Sequence, residues 1–334
     1  MMEDRTTDRR ALRVAGWRRT LQAFGVYILL AGLCAAGLFV SPKFATPANL
    51  LNILRNVTLL GIVCTGVAFI TYSRHYVDLS IPAIMAFVGL ASIACQPYGI
   101  AVSLAAGLAA GLLIGAINGY VIGYWRVNPI IWTLAMAFLL DGLLRWGFAG
   151  RQLYPDPATP GGAFFLSLSQ REIGGFLPLP TFAMVLMAAA AHMAMKHTRF
   201  GAQVQLVGSA YETARLSGVH VRRVVMQVFV LSALTTAIAG LFLTSMNKQG
   251  TFETGLGYDF NAITAVVLGG VSLQGGRASI TGVIGGVLVI GVLLNLMTLL
   301  GLDSFTQLVI KGCVFIGVVA ATTWFARQSG CHDE

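Results

Sequence analysis

Long apolar runs separated by short polar loops recur from near residue 20 almost to the end of the chain, and ten of them approach the length needed to cross a hydrocarbon core of about 30 Å. They lie near 20–40, 53–73, 79–95, 98–124, 129–149, 178–195, 222–246, 259–274, 279–300 and 303–326. The third and eighth are short or interrupted by glycine. Of the 334 residues, 56% are hydrophobic and only 10% charged, where a soluble domain carries about 25% charged residues. A membrane β-barrel would instead show alternating segments of about ten residues. The expected fold is therefore an all-α polytopic membrane protein with about ten transmembrane helices.

Lysine and arginine orient such a chain, because they concentrate in its cytoplasmic loops. With ten spans and a cytoplasmic N-terminus, segments 1–19, 73–78, 124–128, 196–223, 275–279 and the C-terminal tail are cytoplasmic and hold 15 of the 22 basic residues. The opposite loops hold Lys43, Arg151, Arg171 and Lys248. Both termini are expected in the cytoplasm: a basic segment 1–19, a transmembrane region 20–326 and a tail 327–334. This bias also accounts for the net charge of +9, so no nucleic-acid partner is implied. The first apolar run is span-length with no small-residue cleavage pattern after it, unlike a signal peptide. Cys34, Cys64, Cys95, Cys313 and Cys331 are scattered without a CxxC pair, so neither metal site nor disulfide framework is expected.

The polar stretch 150–177 divides the apolar region into halves, about 45–149 and 178–326. "YVDLSIPAIMAFVGL" at 76–90 resembles "GYDFNAITAVVLGG" at 257–270, and "GLLIGAINGYVIG" at 111–123 parallels "GGVLVIGVLLNLMTLLG" at 285–301. Asp78 and Asp259 are an odd number of spans apart, so the halves read as an inverted repeat, which in transporters places the pathway between repeats and beside broken helices. Both acids suit helix N-caps, where free N–H groups and the helix dipole stabilise a carboxylate. The pathway candidates are Asp78, Ser80, Asn118, Asp259, Asn261, Thr264 and Asn295. Asp141 within "FLLDGLLRW" is expected to be neutralised by Arg145 on the same helical face. Gly107, Gly111, Gly115, Gly119 and Gly123 form a small-residue stripe for close helix packing.

Between two apolar runs lies "GSAYETARLSGVHVRR", residues 208–223. Ser209 and Glu212 have capping-box spacing, and Gly218 supplies a stop. The intervening helix of about 12 Å is too short to persist alone in water, so it needs something to dock against. The chain has no P-loop: "GGVSLQGGRAS" at 269–279 lacks the G-x-x-x-x-G-K-[ST] pattern. Any nucleotide hydrolysis belongs to another chain. The histidines show no HExxH or other clustered spacing, and no nucleophile stands beside a base.

Three blocks, in order, resemble the membrane permeases of ribose-type ABC importers, a family related to branched-chain amino acid permeases. They are "NPIIWTLAMAFLLDG" at 128–142, "TRFGAQVQLVGSAYETARLSGVHVRR" at 198–223 and "GLGYDFNAITAVVLGGVSLQGGRASITGVIGG" at 255–286. The resemblance implies a second permease chain, identical or paired, separate ABC ATPase subunits carrying ATP and Mg, and a periplasmic binding protein delivering a sugar or related polar solute. It also implies a bacterial inner-membrane location, no cofactor on this chain and no catalytic residues. Gly208, Ser209, Glu212, Ala214, Arg215 and Gly218 would lie in the coupling segment (within 196–223) that meets the ATPase. Where the family carries a glycine pair before Asp-Leu-Ser, this chain has His75 and Tyr76, with Pro82 beyond. An ion-coupled secondary transporter is the rival reading, since it too uses inverted repeats and broken helices.

Overall fold

A computed structural model describes residues 25–75, 77–271 and 279–330. The expected basic segment 1–19, the start of the first span, Tyr76, most of loop 275–279 and the last four residues, with Cys331, lie outside the described residues. Among the described residues, six helices are long and apolar enough to cross a membrane. They are α2 (Pro47–Tyr72), α4 (Ile100–Tyr120, continued by a π-helical turn, Val121–Trp125), α5 (Pro129–Gly147), α7 (Leu179–His197), α10 (Val221–Asn247) and α12 (Ile280–Leu299). Four further apolar helices are α1 (Gly25–Val40), α3 (Ile81–Ala94), α11 (Tyr258–Leu268) and α13 (Ser304–Gly330). At 1.5 Å per residue, α3 and α11 reach only about 21 and 17 Å, short of the bilayer core. They are the two interrupted spans expected from sequence. Stretch 150–177 also contains a helix, α6 (Pro160–Leu168), and the start of a minimal hairpin, β1 (Glu172–Ile173) with β2 (Leu177–Pro178).

Local chemistry sets the boundaries. Thr46, Asn128 and Thr159 cap α2, α5 and α6 with side-chain oxygens, and each is followed by proline at the first helical turn, where a missing N–H costs nothing. α4 ends because Arg126 takes a left-handed conformation at φ 58°. The acids behave differently from expectation. Ser80, not Asp78, is the N-cap of α3 and makes no side-chain cap, while Gly257 caps α11 and Asp259 falls within its first turn. There it still meets the positive end of the helix dipole.

α2, α10 and α12 form the centre, with most of their apolar stretches buried, whereas α4, α5 and α7 turn most of theirs outward. The glycine stripe of α4 lies flat on α10. A Cβ added at Gly119 would sit 2.7 Å from the Met226 backbone, and one at Gly123 would sit 2.7 Å from the Arg222 carbonyl. Small residues let the two backbones approach and exchange dispersion contacts, the force available between helices in lipid. Elsewhere Leu153 and Gly250 exchange two backbone hydrogen bonds, of 3.0 and 2.8 Å, tying the segment after α5 to the segment after α10.

Candidate functional site: an exposed elbow and a buried polar knot

The expected coupling segment is an elbow of two helices. α8 (Arg199–Ser209) is capped by Thr198, whose hydroxyl oxygen accepts from Gly201 N at 3.2 Å. Its inner face carries Val204 and Val207, both buried, and Phe200 stacks on Phe69 of α2 with centroids 5.8 Å apart. Gly208 is buried at its end. The capping box does not form: Ser209 is the last residue of α8, and its hydroxyl donates to the Leu206 carbonyl. Glu212 instead pairs with Arg215 at 3.1 Å.

α9 (Tyr211–Leu216) is thus a six-residue helix, entered through Ala210 in an extended conformation. Ala214 is fully buried and pins it to the body, while Glu212, Arg215 and Leu216 face outward. Gly218 ends it as expected. At φ 81° it lets Gly218 N donate to the Arg215 carbonyl and Val219 N to the Ala214 carbonyl, a Schellman closure. Leu216, 81% exposed, belongs to this outward face and was not singled out from sequence. Its signal is a large apolar residue between Arg215 and Ser217 in an otherwise polar stretch.

Behind α9 is a cavity of about 380 Å³ lined by His75, Ile122, Arg126, Asn128, Tyr211 and Val225, among others. It lies where the elbow, the π-helical turn of α4, the start of α5 and the break between α2 and α3 converge. The Arg126 guanidinium sits over the Tyr211 ring at 5.5 Å, a cation–π contact. His75 packs edge-on against Phe229, and its Nδ1 lies 2.7 Å from the Ser73 carbonyl oxygen. That contact makes Nδ1 the protonated nitrogen. Burial pushes the imidazole down to about 4, so it is neutral near pH 7.

Deeper in the chain, Asp78, Ser80 and Asn118 meet in one buried knot. The Ser80 amide and hydroxyl both donate to Asp78 Oδ1. Asn118 Nδ2 donates to Ser80 Oγ at 3.0 Å, and Trp132 Nε1 donates to Asn118 Oδ1 at 2.9 Å. Thr133 of α5 accepts from Leu79 N at 3.0 Å. Three chain segments are thereby locked around one carboxylate. The second half does not repeat this arrangement. Asn295 of α12 forms a reciprocal amide pair with Asn49 of α2, at 3.0 and 2.7 Å. Thr264 donates within α11 to the Phe260 carbonyl, and Asn261 is partly buried. Asp141 and Arg145 form the expected ion pair at 2.9 Å.

The sequence profile described as branched-chain amino acid transport system / permease component matches residues 49–319. The L-arabinose ABC transporter permease protein of Azospirillum brasilense is 33% identical over 297 residues, 87% of this chain and 85% of the relative. The ribose import permease protein of Bacillus subtilis (strain 168) is 35% identical over 302 residues, 89% and 91% of the two chains. The ribose import permease protein of Escherichia coli (strain K12) is 31% identical over 282 residues, 83% and 86%. No solved structure matches. With the match running from α2 into α13, the chain belongs to the permease-component family of branched-chain amino acid transport systems, as a membrane-embedded transport subunit of an ABC importer and not an enzyme.

Proposed function

We propose that the chain imports a sugar or related polar solute across the bacterial inner membrane, with both termini in the cytoplasm. It works with a second permease chain, with ATPase subunits that hold ATP and Mg, and with a periplasmic binding protein that hands over the solute. The observation that carries this reading is the elbow: a short, rigidly closed helix with an outward face of Glu212, Arg215 and Leu216, in a chain whose relatives bear the names of ribose and arabinose permeases.

In this reading Gly208, Ser209, Glu212, Ala214, Arg215 and Gly218 shape the surface that meets the ATPase. Closure of the ATPases on ATP presses on α9. Tyr211 passes the displacement to Arg126, and so to the junction of α4 and α5. Trp132 and Thr133, one turn into α5, hold Asn118 and Leu79, so movement there reaches the knot around Asp78 and Ser80. Asp259, Asn261 and Thr264 on α11, and Asn295 on α12, stand along the solute route in the other half.

The test is co-purification from the native membrane. A P-loop ATPase should accompany the native chain and be lost from a variant carrying Glu212→Ala and Arg215→Ala. Uptake that proceeds without any ATPase, driven by an ion gradient, defeats the proposal in favour of a secondary transporter.

A further inference from the structure

α2 changes character along its length. From Val57 to Tyr72 every residue is buried. Of the ten before, Leu50, Leu51, Asn52, Arg55 and Asn56 are all exposed. One side of this first stretch is covered: Asn49 is paired with Asn295, and Ile53 packs on the cluster of Phe44, Val292 and Leu296. Asn52, Arg55 and Asn56, spaced i, i+3 and i+4, share another face. None of the three side chains has a hydrogen-bond or ion-pair partner among the described residues.

Such a face is poorly suited to lipid. A long arginine can reach back to the membrane surface, but the amide side chains of Asn52 and Asn56 are too short to do so. Asn56 lies about 13 Å along the helix from Pro47, at 1.5 Å per residue. Polar groups within spans turn to a bundle interior or a water-filled cavity and mark solute pathways. Here this chain's own bundle interior is on the other side, which leaves water or the second permease chain, and the thiol test below separates the two. Two amides and a guanidinium offer several donors and two acceptors within two helical turns, the complement of a solute bearing adjacent hydroxyls. α11 packs on the same helix, with Cys64 Sγ 3.8 Å from the Ala262 carbonyl, so the route residues proposed on α11 adjoin α2.

We propose that Asn52, Arg55 and Asn56 contact the transported solute, forming a weak recognition site for a polyhydroxylated molecule in a water-filled vestibule beside the first turns of α2. This rests on the importer reading above, and it adds residues to the route that the spacing of the two halves did not point to. The site contributes to selectivity by hydrogen bonding alone.

Two measurements test it. The native complex with its partners, in proteoliposomes, is assayed for ATP-driven uptake of radiolabelled D-ribose and L-arabinose beside a variant carrying Asn52→Leu, Arg55→Leu and Asn56→Leu. Uptake is expected to fall at least tenfold, with ATP hydrolysis within twofold of native, while Leu51→Ala leaves both unchanged. Equal uptake by the triple variant, or loss of hydrolysis together with uptake, overturns the proposal. Independently of solute, Asn56→Cys in the full-length chain is treated with a membrane-impermeant thiol reagent on each side of the membrane. Reaction is expected. Lack of reaction on both sides, or a disulfide between two copies through this cysteine, overturns the proposal in favour of a lipid-facing or chain-to-chain surface. Where neither pentose is carried, the thiol result decides alone. Loss of the ATP requirement in the native complex defeats the importer reading on which the site rests, and is told apart from failure of the site by the native complex alone.

Discussion

Asp78 is held at the centre of a relay in which every donor has one place to go: Trp132 to Asn118, Asn118 to Ser80, Ser80 to Asp78. Replacing Asn118 by Leu strands the Trp132 N–H and removes the donor to Ser80. Leaving buried polar groups unpaired costs about 1–3 kcal/mol each, so the variant should unfold at lower temperature in detergent. His75 makes a pH-dependent prediction. Its folded value is about 4, below the ordinary 6.5 or so of an unfolded histidine. Between those values the unfolded chain binds a proton that the folded chain does not, so stability falls as pH drops through that window. His75→Phe should flatten this part of the pH profile of thermal unfolding. Asp78 and Asn118 stood out in the sequence as an acid and an amide 40 residues apart, and the fold brings them into one knot. The Asn49 partner of Asn295 did not stand out, because a contact across 246 residues leaves no local pattern.

Glycine spacing was the clearest signal for the elements, since a stripe every four residues on α4 has one use, close approach, and α10 lies against it. Gly119→Leu should therefore prevent the native packing of α4 on α10, seen as aggregation or proteolysis of the purified chain, whereas an added side chain at Gly142, with nothing within 4 Å, should be tolerated. The elbow was legible in part. Gly218 was placed correctly because left-handed closures favour glycine. Gly218→Val should cost about 1–2 kcal/mol and lower ATP-coupled uptake without removing the exposed face of α9. Ser209 misled because the apolar repeat of Phe200, Val204 and Val207 sits in a stretch polar enough to read as loop, and α8 consumes the serine that a capping box would need.

On the scale of the whole molecule, a polytopic helical chain of about ten apolar helices, two of them short, follows from run lengths, because a bilayer sets a minimum length that α3 and α11 fail to meet. Which helices occupy the centre does not follow, since α2 and α4 are similarly apolar and yet one is enclosed and the other outward-facing. Single apolar-to-polar substitutions along Val57 to Tyr72 should accordingly reduce the yield of folded protein far more than those on the outward side of α5, a contrast that a mutational scan of expression level would read. The enclosure of α2 also has a consequence for synthesis. The first of its covering helices α10, α11 and α12 begins about 150 residues after Tyr72. At roughly 5–20 residues per second, α2 waits some 8–30 s in the bilayer before its partners are made. For that interval its buried threonines and serine, Thr58, Thr65, Thr71 and Ser73, have only the nascent first half of the chain and the insertion machinery around them.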